Sequence, residues 1–262
     1  MNEYPVKLGS MLFTLVEPHR EHVVAYNRWY ERDHFYAGCL VGPGILSGAR
    51  WVATRELKKL RYPADSPITA DPMTGSYLAT YFIEASQSRE WGAWAAKEFQ
   101  RLMDDGRMFE QRDHVHTQMY AFKGAGYTDP DGVPPELALD HRYPGLVALF
   151  LEANEGVSRG DVAGWFNMNL ASHVFKRSSA SLALSFSPIP IPGGTHDDIP
   201  KAGSSLRSLL YLWFCDANPA DDWDVFAGLG EHVTDGGFAR VTFCSPFIPT
   251  IPGTDTYTDE LW

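Results

Sequence analysis

Residues 27–35 read NRWYERDHF, and the residue types there can move a proton. Tyr26, Tyr30 and His34 fall at i, i+4 and i+8, so on an α-helix they project from nearly one face. Val23 and part of Trp29 lie on the same face, which therefore looks inward at a sheet. A histidine reaching into an apolar, aromatic-lined space serves as a general acid or base near neutral pH. Tyr30, one turn away, can orient a carbonyl or share the proton. Asp33 sets the imidazole tautomer if it folds back. The competing reading is a partly buried histidine, hydrogen-bonded for packing alone.

A second group of candidates lies in DHVHTQMY (113–120). On a regular strand His114, His116, Gln118 and Tyr120 share one face, and Val115, Thr117 and Met119 share the other. A His-x-His pair is a metal fragment if His34 or an acid supplies a third ligand. Otherwise it is a polar face that lines a pocket or meets solvent. There His114 or His116 supplies a second acid/base or binds a substrate oxygen. Arg50 joins them as a stabiliser of developing negative charge. His19 and His22, in EPHREH, fall at a strand-to-helix turn and are expected to be exposed. GGTHDD (193–198) has a metal-like composition, but such Gly/Asp clusters are usually solvated turns. The chain carries no G-x-G-x-x-G, no P-loop and no G-x-S-x-G, so neither a nucleotide site nor a nucleophile elbow is signalled.

The elements that must position these residues can be read from periodicity. Strands are expected at 11–18, 45–55, 76–85 and 113–124, from β-branched and aromatic runs closed by Pro or Gly. Helices are expected over 22–38, ended by Gly38, and from Ser88 to Gly106. The second of these carries the apolar stripe Trp91, Trp94, Ala95, Phe99, Leu102 and Met103. The order is βαββαβ, the ferredoxin-like unit. After a Gly/Pro-rich linker it recurs: strand 146–154, helix 159–176, strands 179–192 and 206–217, helix 220–233, strand 238–247. Trp29 and Trp165 are 136 residues apart (165 − 29), and Trp91 and Trp223 are 132 apart (223 − 91). Both halves carry an insertion between their second and third strands, at 56–75 and 188–204. This spacing fits a duplicated domain rather than a solenoid.

The expected class is therefore α+β, two tandem ferredoxin-like βαββαβ repeats forming a pseudo-dimeric α/β barrel. The expected parts are a first repeat over 1–124 with the candidate site, a linker over 125–145, and a degenerate second repeat over 146–262. Packing the two sheets face to face buries the face that helices leave bare.

The composition excludes several partners. A net charge of −11 argues against nucleic acid and against an anionic membrane surface. No apolar run approaches 18 residues, and MNEYPVKLGS lacks the pattern of a signal peptide. Cys39, Cys215 and Cys244 form no CxxC pair, which fits a reducing, cytoplasmic setting. Aromatic residues reach 13%, which suits either a Trp/Tyr-rich core or a pocket for a flat, apolar ligand.

The segment with Trp29, Tyr30 and His34, followed by the Pro43-Gly44 turn and a strand containing Arg50-Trp51, resembles the EthD-like branch of the dimeric α/β-barrel superfamily. The motif covers roughly residues 11–55 and the rest matches by element order. The resemblance implies a pocket between the sheet and its covering helices, with a histidine of the first helix pointing into it. It also implies kinship with cofactor-free oxygenases, polyketide cyclases, lactone isomerases and haem-dependent enzymes, whose substrates are commonly aromatic. The second half departs from the pattern: Phe166 stands where Tyr30 does, Leu170 where His34 does, and His173 lies three residues on.

Three functions follow as expectations. The first is a cofactor-independent enzyme acting on an apolar, aromatic or polycyclic small molecule, with His34 and Tyr30 catalytic. Trp29, Tyr26, Arg50, His114 and His116 would bind the substrate, and the reaction would be an isomerase, cyclase, lyase or monooxygenase step. The second is a haem- or divalent-metal-dependent enzyme of the same fold, although no metal ligand is assigned. The third is a non-catalytic carrier of hydrophobic ligands. A monomer and a homodimer are both compatible with a chain that closes its own barrel.

Overall fold

The computed structural model describes residues 5–191, 205 and 207–262; the GGTHDD loop lies outside them. Strand β1 (Leu8–Pro18) leads through a short 3-10 turn into helix α1 (Val23–Trp29), which continues without a break as a π-helix over Tyr30–Leu40. Strand β2 (Ile45–Val52), the short helix α2 (Arg55–Lys58), strand β3 (Tyr77–Glu84), helix α3 (Ser88–Asp104) and strand β4 (Arg112–Tyr127) complete the first half. The second half repeats the order. It has β5 (Gly145–Ala153), α4 (Arg159–Phe166), a π turn at Asn167–Ala171, α5 (Ser172–Arg177), β6 (Ala180–Ile189), β7 (Ser208–Cys215), α6 (Trp223–Ala227), α7 (Leu229–Gly236) and β8 (Ala239–Pro249). The duplication expected from the spacing extends to detail, because a π segment follows the first helix in both halves.

The eight strands close into one barrel in the order β1-β3-β2-β8-β5-β7-β6-β4. Every observed pairing is antiparallel. Alternation along each strand sorts the apolar residues into two sets. One set fills the barrel: Met11, Phe13 and Leu15 from β1, Leu78 and Phe82 from β3, Phe150 from β5, Phe186 from β6, Phe214 from β7, Phe243 and Phe247 from β8. The other lies between the outer sheet face and the helices. In the first half it includes Val16, Tyr26, Tyr30, Val52, Tyr77, Ala79 and Tyr81.

The two seams between the halves differ. β4 and β6 pair over a long register from Met119↔Ile189 to Tyr127↔Leu182. β2 and β8 pair only at Trp51↔Pro249 and Val52↔Ile248. Beyond that point the insertion after β2 takes over, and Tyr62 bridges Cys244. Its neighbour Arg61 is buried against the ring faces of Phe243 and Phe247. The Arg61 guanidinium donates to Ser245 Oγ at 2.8 Å, Pro72 O at 2.9 Å, Gly75 O at 2.7 Å and Thr74 O at 2.5 Å. Arg61 therefore bolts the insertion onto the weaker seam. The polar link expected at 56–75 is in this way a packed part of the barrel wall.

Candidate active site

His34 is placed by an unexpected winding of its helix. The α pattern expected over 22–38 holds through Trp29; from Tyr30 the hydrogen bonds widen to i→i−5, as in Val41 N to Tyr36 O at 3.2 Å. On such a wider turn, residues five apart come as near to one another as residues four apart. His34 accordingly stacks on Trp29, with ring centroids 4.5 Å apart and planes 19° apart, and meets Tyr30 only edge-on at 5.4 Å. The helix also runs past Gly38, the expected stop, to Leu40. Gly38 matters for another reason. A Cβ there would lie 2.7 Å from His34 Cε1 and 2.8 Å from Nδ1, so only glycine leaves room for the imidazole.

The His34 ring is half-buried, but its Nδ1 is sealed from water and has no hydrogen-bond partner. Burial, followed by the nearby charges of Arg112 and His114, pushes its pKa down to about 3, against the opposing pull of Asp33. The imidazole is thus neutral at physiological pH. Asp33 does not turn back to set its tautomer. Its carboxylate is held by Arg107, with Nε to Oδ2 at 3.0 Å and a second contact from Nη2 to Oδ1. The same segment fixes Trp29, whose indole N–H donates to Arg107 O at 2.7 Å.

Tyr26 and Tyr30 are buried, as their inward face requires. The Tyr30 hydroxyl shares a 2.6 Å hydrogen bond with Tyr81, and burial raises both phenols well above their ordinary pKa. Tyr30 is therefore a neutral, committed group rather than a proton carrier near pH 7. Arg50 is also buried, and its guanidinium lies 4.4 Å from the Tyr30 ring centre and 5.1 Å from that of Tyr77. It donates to Glu31 Oε1 at 3.0 Å and to Asn27 Oδ1 at 2.8 Å, and Asn27 in turn donates to the Tyr77 hydroxyl at 2.7 Å.

The expectation that His114 and His116 share a face is corrected by a β-bulge. Leu15 pairs with His116 but Val16 pairs with His114, so Val115 is an extra residue and the alternation slips by one. His116 points into the barrel, 5.9 Å from Phe13 and 5.6 Å from Phe150 by ring centroid, with Nε2 2.8 Å from the Tyr120 hydroxyl. Burial alone pushes its pKa down to about 4. His114 instead turns outward, where its Nδ1 lies 3.0 Å from Thr117 Oγ1. The structure thus gathers Tyr26, Trp29, Tyr30, His34, Arg50 and His114 on the helix side of the sheet, and it leaves His116 out.

A partly open cleft of about 490 Å³ borders this group. Met103, Met108 and Phe109 form apolar walls, and Glu110, Arg112, Asp113 and His114 supply polar atoms. Phe109 stacks on Trp29 at 5.5 Å, and the Arg112 guanidinium sits 5.1 Å from the same indole. Trp29 therefore links His34 to two residues of the cleft wall, Phe109 and Arg112. Arg107, Phe109, Arg112, Tyr77 and Tyr81 are not among the residues that sequence spacing singles out. Tyr77 and Tyr81 carry a signal, because two tyrosines four apart on a strand lie on one face. The α3–β4 loop carries none, since loop geometry leaves no periodic trace.

Among the described residues, no group of three or more His, Cys, Asp and Glu could hold a metal ion. The donors also fit haem poorly. His34 lies under Trp29 with Nδ1 sealed, His116 is committed to Tyr120, and the Arg112 guanidinium stands 3.4 Å from His114 Nε2, where a metal would have to sit. No described helix is long and apolar enough to cross a membrane.

No protein-family model matches the chain, and no curated protein matches its sequence. Solved structures do match. One described as an anthrone oxidase-like protein superposes with a TM-score of 0.52 at 8% identity, covering 94% of this chain and 95% of that one. The likeness extends over nearly the whole of both chains and agrees with the closed eight-strand barrel and two βαββαβ halves of this chain. The chain folds as two ferredoxin-like βαββαβ halves closed into one α/β barrel. More distant matches to this barrel include a DypB variant from Rhodococcus jostii RHA1 in complex with heme (TM-score 0.46, 9% identity, 96% and 94% covered). A dye-decolorizing protein from V. cholerae also matches (TM-score 0.42, 12% identity, 97% of each chain). In the second half of this barrel Phe166 packs on Tyr211 at 4.6 Å, and Leu170 is buried with it. The ionisable pair of the first half has apolar residues in its place.

Proposed function

We propose that the chain is a small-molecule enzyme of the EthD-like kind that abstracts a proton from a flat, apolar, aromatic or polycyclic substrate. The observation that carries this reading is the clustering of a neutral, half-buried His34 with Arg112 and His114 beside a cleft walled by Met103, Met108 and Phe109. An acidic C–H or O–H is removed more readily where its anion meets fixed positive charge. Burial is the main cause that holds His34 neutral in the free protein, and the lesser one, the charges of Arg112 and His114, would be offset by a substrate anion, so proton transfer yields an imidazolium–anion pair whose anion Arg112 stabilises. Tyr30 and Gly38 hold the ring, and Trp29 turns aside or stacks on the substrate. Returning the proton elsewhere completes an isomerisation or cyclisation; capture of the carbanion by dioxygen would make the step an oxygenation.

The name of the structural neighbour suggests anthrone as a probe of suitable shape and acidity. Wild type should consume it in air-saturated buffer. His34→Ala should lose about 10²–10⁴-fold in turnover, the usual contribution of a positioned base, while keeping its circular dichroism spectrum. Equal turnover in the variant would remove His34 from the mechanism. Tight probe binding without product would favour the carrier reading instead.

A further inference from the structure

The segment that follows β8 crosses back from the second half to the first. Thr250 N donates to Arg50 O at 3.1 Å, and Gly253 N donates to Glu31 Oε2 at 2.7 Å. Further along, Arg28 pairs with Asp255 at 2.7 Å and Arg55 N donates to Glu260 O at 2.7 Å. Leu261 is fully buried in the apolar cluster that holds Tyr26, Tyr30 and Tyr77. Glu31 is the hinge of this arrangement, because its other oxygen accepts from Arg50.

We propose that residues 250–255 of the second half complete the first half's site, with Glu31 as the positioning residue. One carboxylate is clamped between a backbone N–H of the returning segment and the guanidinium that lies over Tyr30. Without this clamp the guanidinium keeps Asn27 Oδ1 as its one side-chain acceptor among three tyrosine rings; with it, both of its terminal nitrogens are held. Gly253 is suited to the role, since its φ of +81° belongs to the left-handed region and a Cβ there would meet nothing within 4 Å. Its need for glycine is conformational, and substitution perturbs the turn without a clash. The degenerate half would thus remain necessary, because it supplies the strap for the half that carries the ionisable residues. The link to turnover rests on the function proposed above, but the clamp itself does not.

The test uses the full chain as wild type, Gly253→Ala and Glu31→Gln. The glutamine side chain keeps the size of the glutamate but presents an N–H to one of the two donors. In wild type, the Arg50 guanidinium should give slowly exchanging side-chain N–H signals in ¹⁵N spectra, identified by their loss in Arg50→Lys. Both variants should broaden these signals and raise amide exchange across 250–256 at least tenfold, with the barrel strands unchanged. With a probe that wild type turns over, kcat should fall while KM moves little. Sharp Arg50 signals and unchanged exchange in both variants would overturn the clamp. Altered Arg50 signals in a chain that turns over no probe would leave the clamp standing and remove the proposed function instead.

Discussion

Protonating His116 would place a charge among Phe13, Phe150 and Tyr120 inside the barrel, and the fold resists it. Its folded-state pKa of about 4 lies below the roughly 6.5 of an unfolded histidine. Above pH 6.5 neither state carries the proton, and this residue costs no stability. As the pH falls from there toward 4, the unfolded chain binds a proton that the native chain refuses, so stability drops by up to about 3 kcal/mol. Urea unfolding at pH 7 and pH 4.5 should show the loss in wild type and a smaller loss in His116→Gln. An equal acid loss in both proteins would show that His116 is not held neutral. His34 is likewise held neutral, by burial and by the charges of Arg112 and His114; under the proposed function a substrate anion would offset those charges.

The π-helix over Tyr30–Leu40 decides which residues meet, and the glycine within it decides whether the ring fits. Gly38→Ala would force the imidazole off Trp29 or unwind the turn. Overpacking of this kind costs about 1–3 kcal/mol. Thermal unfolding should register a lowered Tm, and the near-ultraviolet signal of Trp29 should change. A variant with wild-type Tm and spectrum would mean that the ring does not sit under Gly38. The same element shows how far the sequence can be read. Apolar periodicity locates the helix, its inward face and the partners Tyr26, Tyr30 and His34, because burial imposes a period whatever the winding. It does not tell i→i−4 from i→i−5 hydrogen bonds, which differ by one residue in a turn. For the same reason the bulge at Val115 is invisible to it: alternation assumes an unbroken strand, and one inserted residue sends His114 and His116 to opposite faces. The cleft is hidden for another reason, since Met108, Phe109 and Arg112 come together through a loop.

The barrel as a whole is asymmetric in its seams and in its chemistry. The β2–β8 seam has few strand pairs and relies on Arg61, whose buried guanidinium satisfies three backbone carbonyls and Ser245 Oγ. Arg61→Ala would leave those acceptors buried without donors, a loss of about 3 kcal/mol. Denaturant unfolding should show it, and hydrogen exchange should rise first at Trp51, Val52 and 244–249 rather than along β4–β6. Uniform exchange at both seams would contradict the bolt. The duplicated fold makes this architecture legible from matched element orders and Trp spacings, because each half must bury the same bare sheet face. The chemical asymmetry follows from Phe166 and Leu170, which stand in the second half where Tyr30 and His34 stand in the first. The most direct test of that claim, and of the function proposed above, is a titration with anthrone, the proposed probe, followed by isothermal titration calorimetry on wild type and on Trp29→Ala/Arg112→Ala. One site per chain, lost in the double variant, is the predicted result; two sites, or one that survives the double variant unchanged, would contradict it.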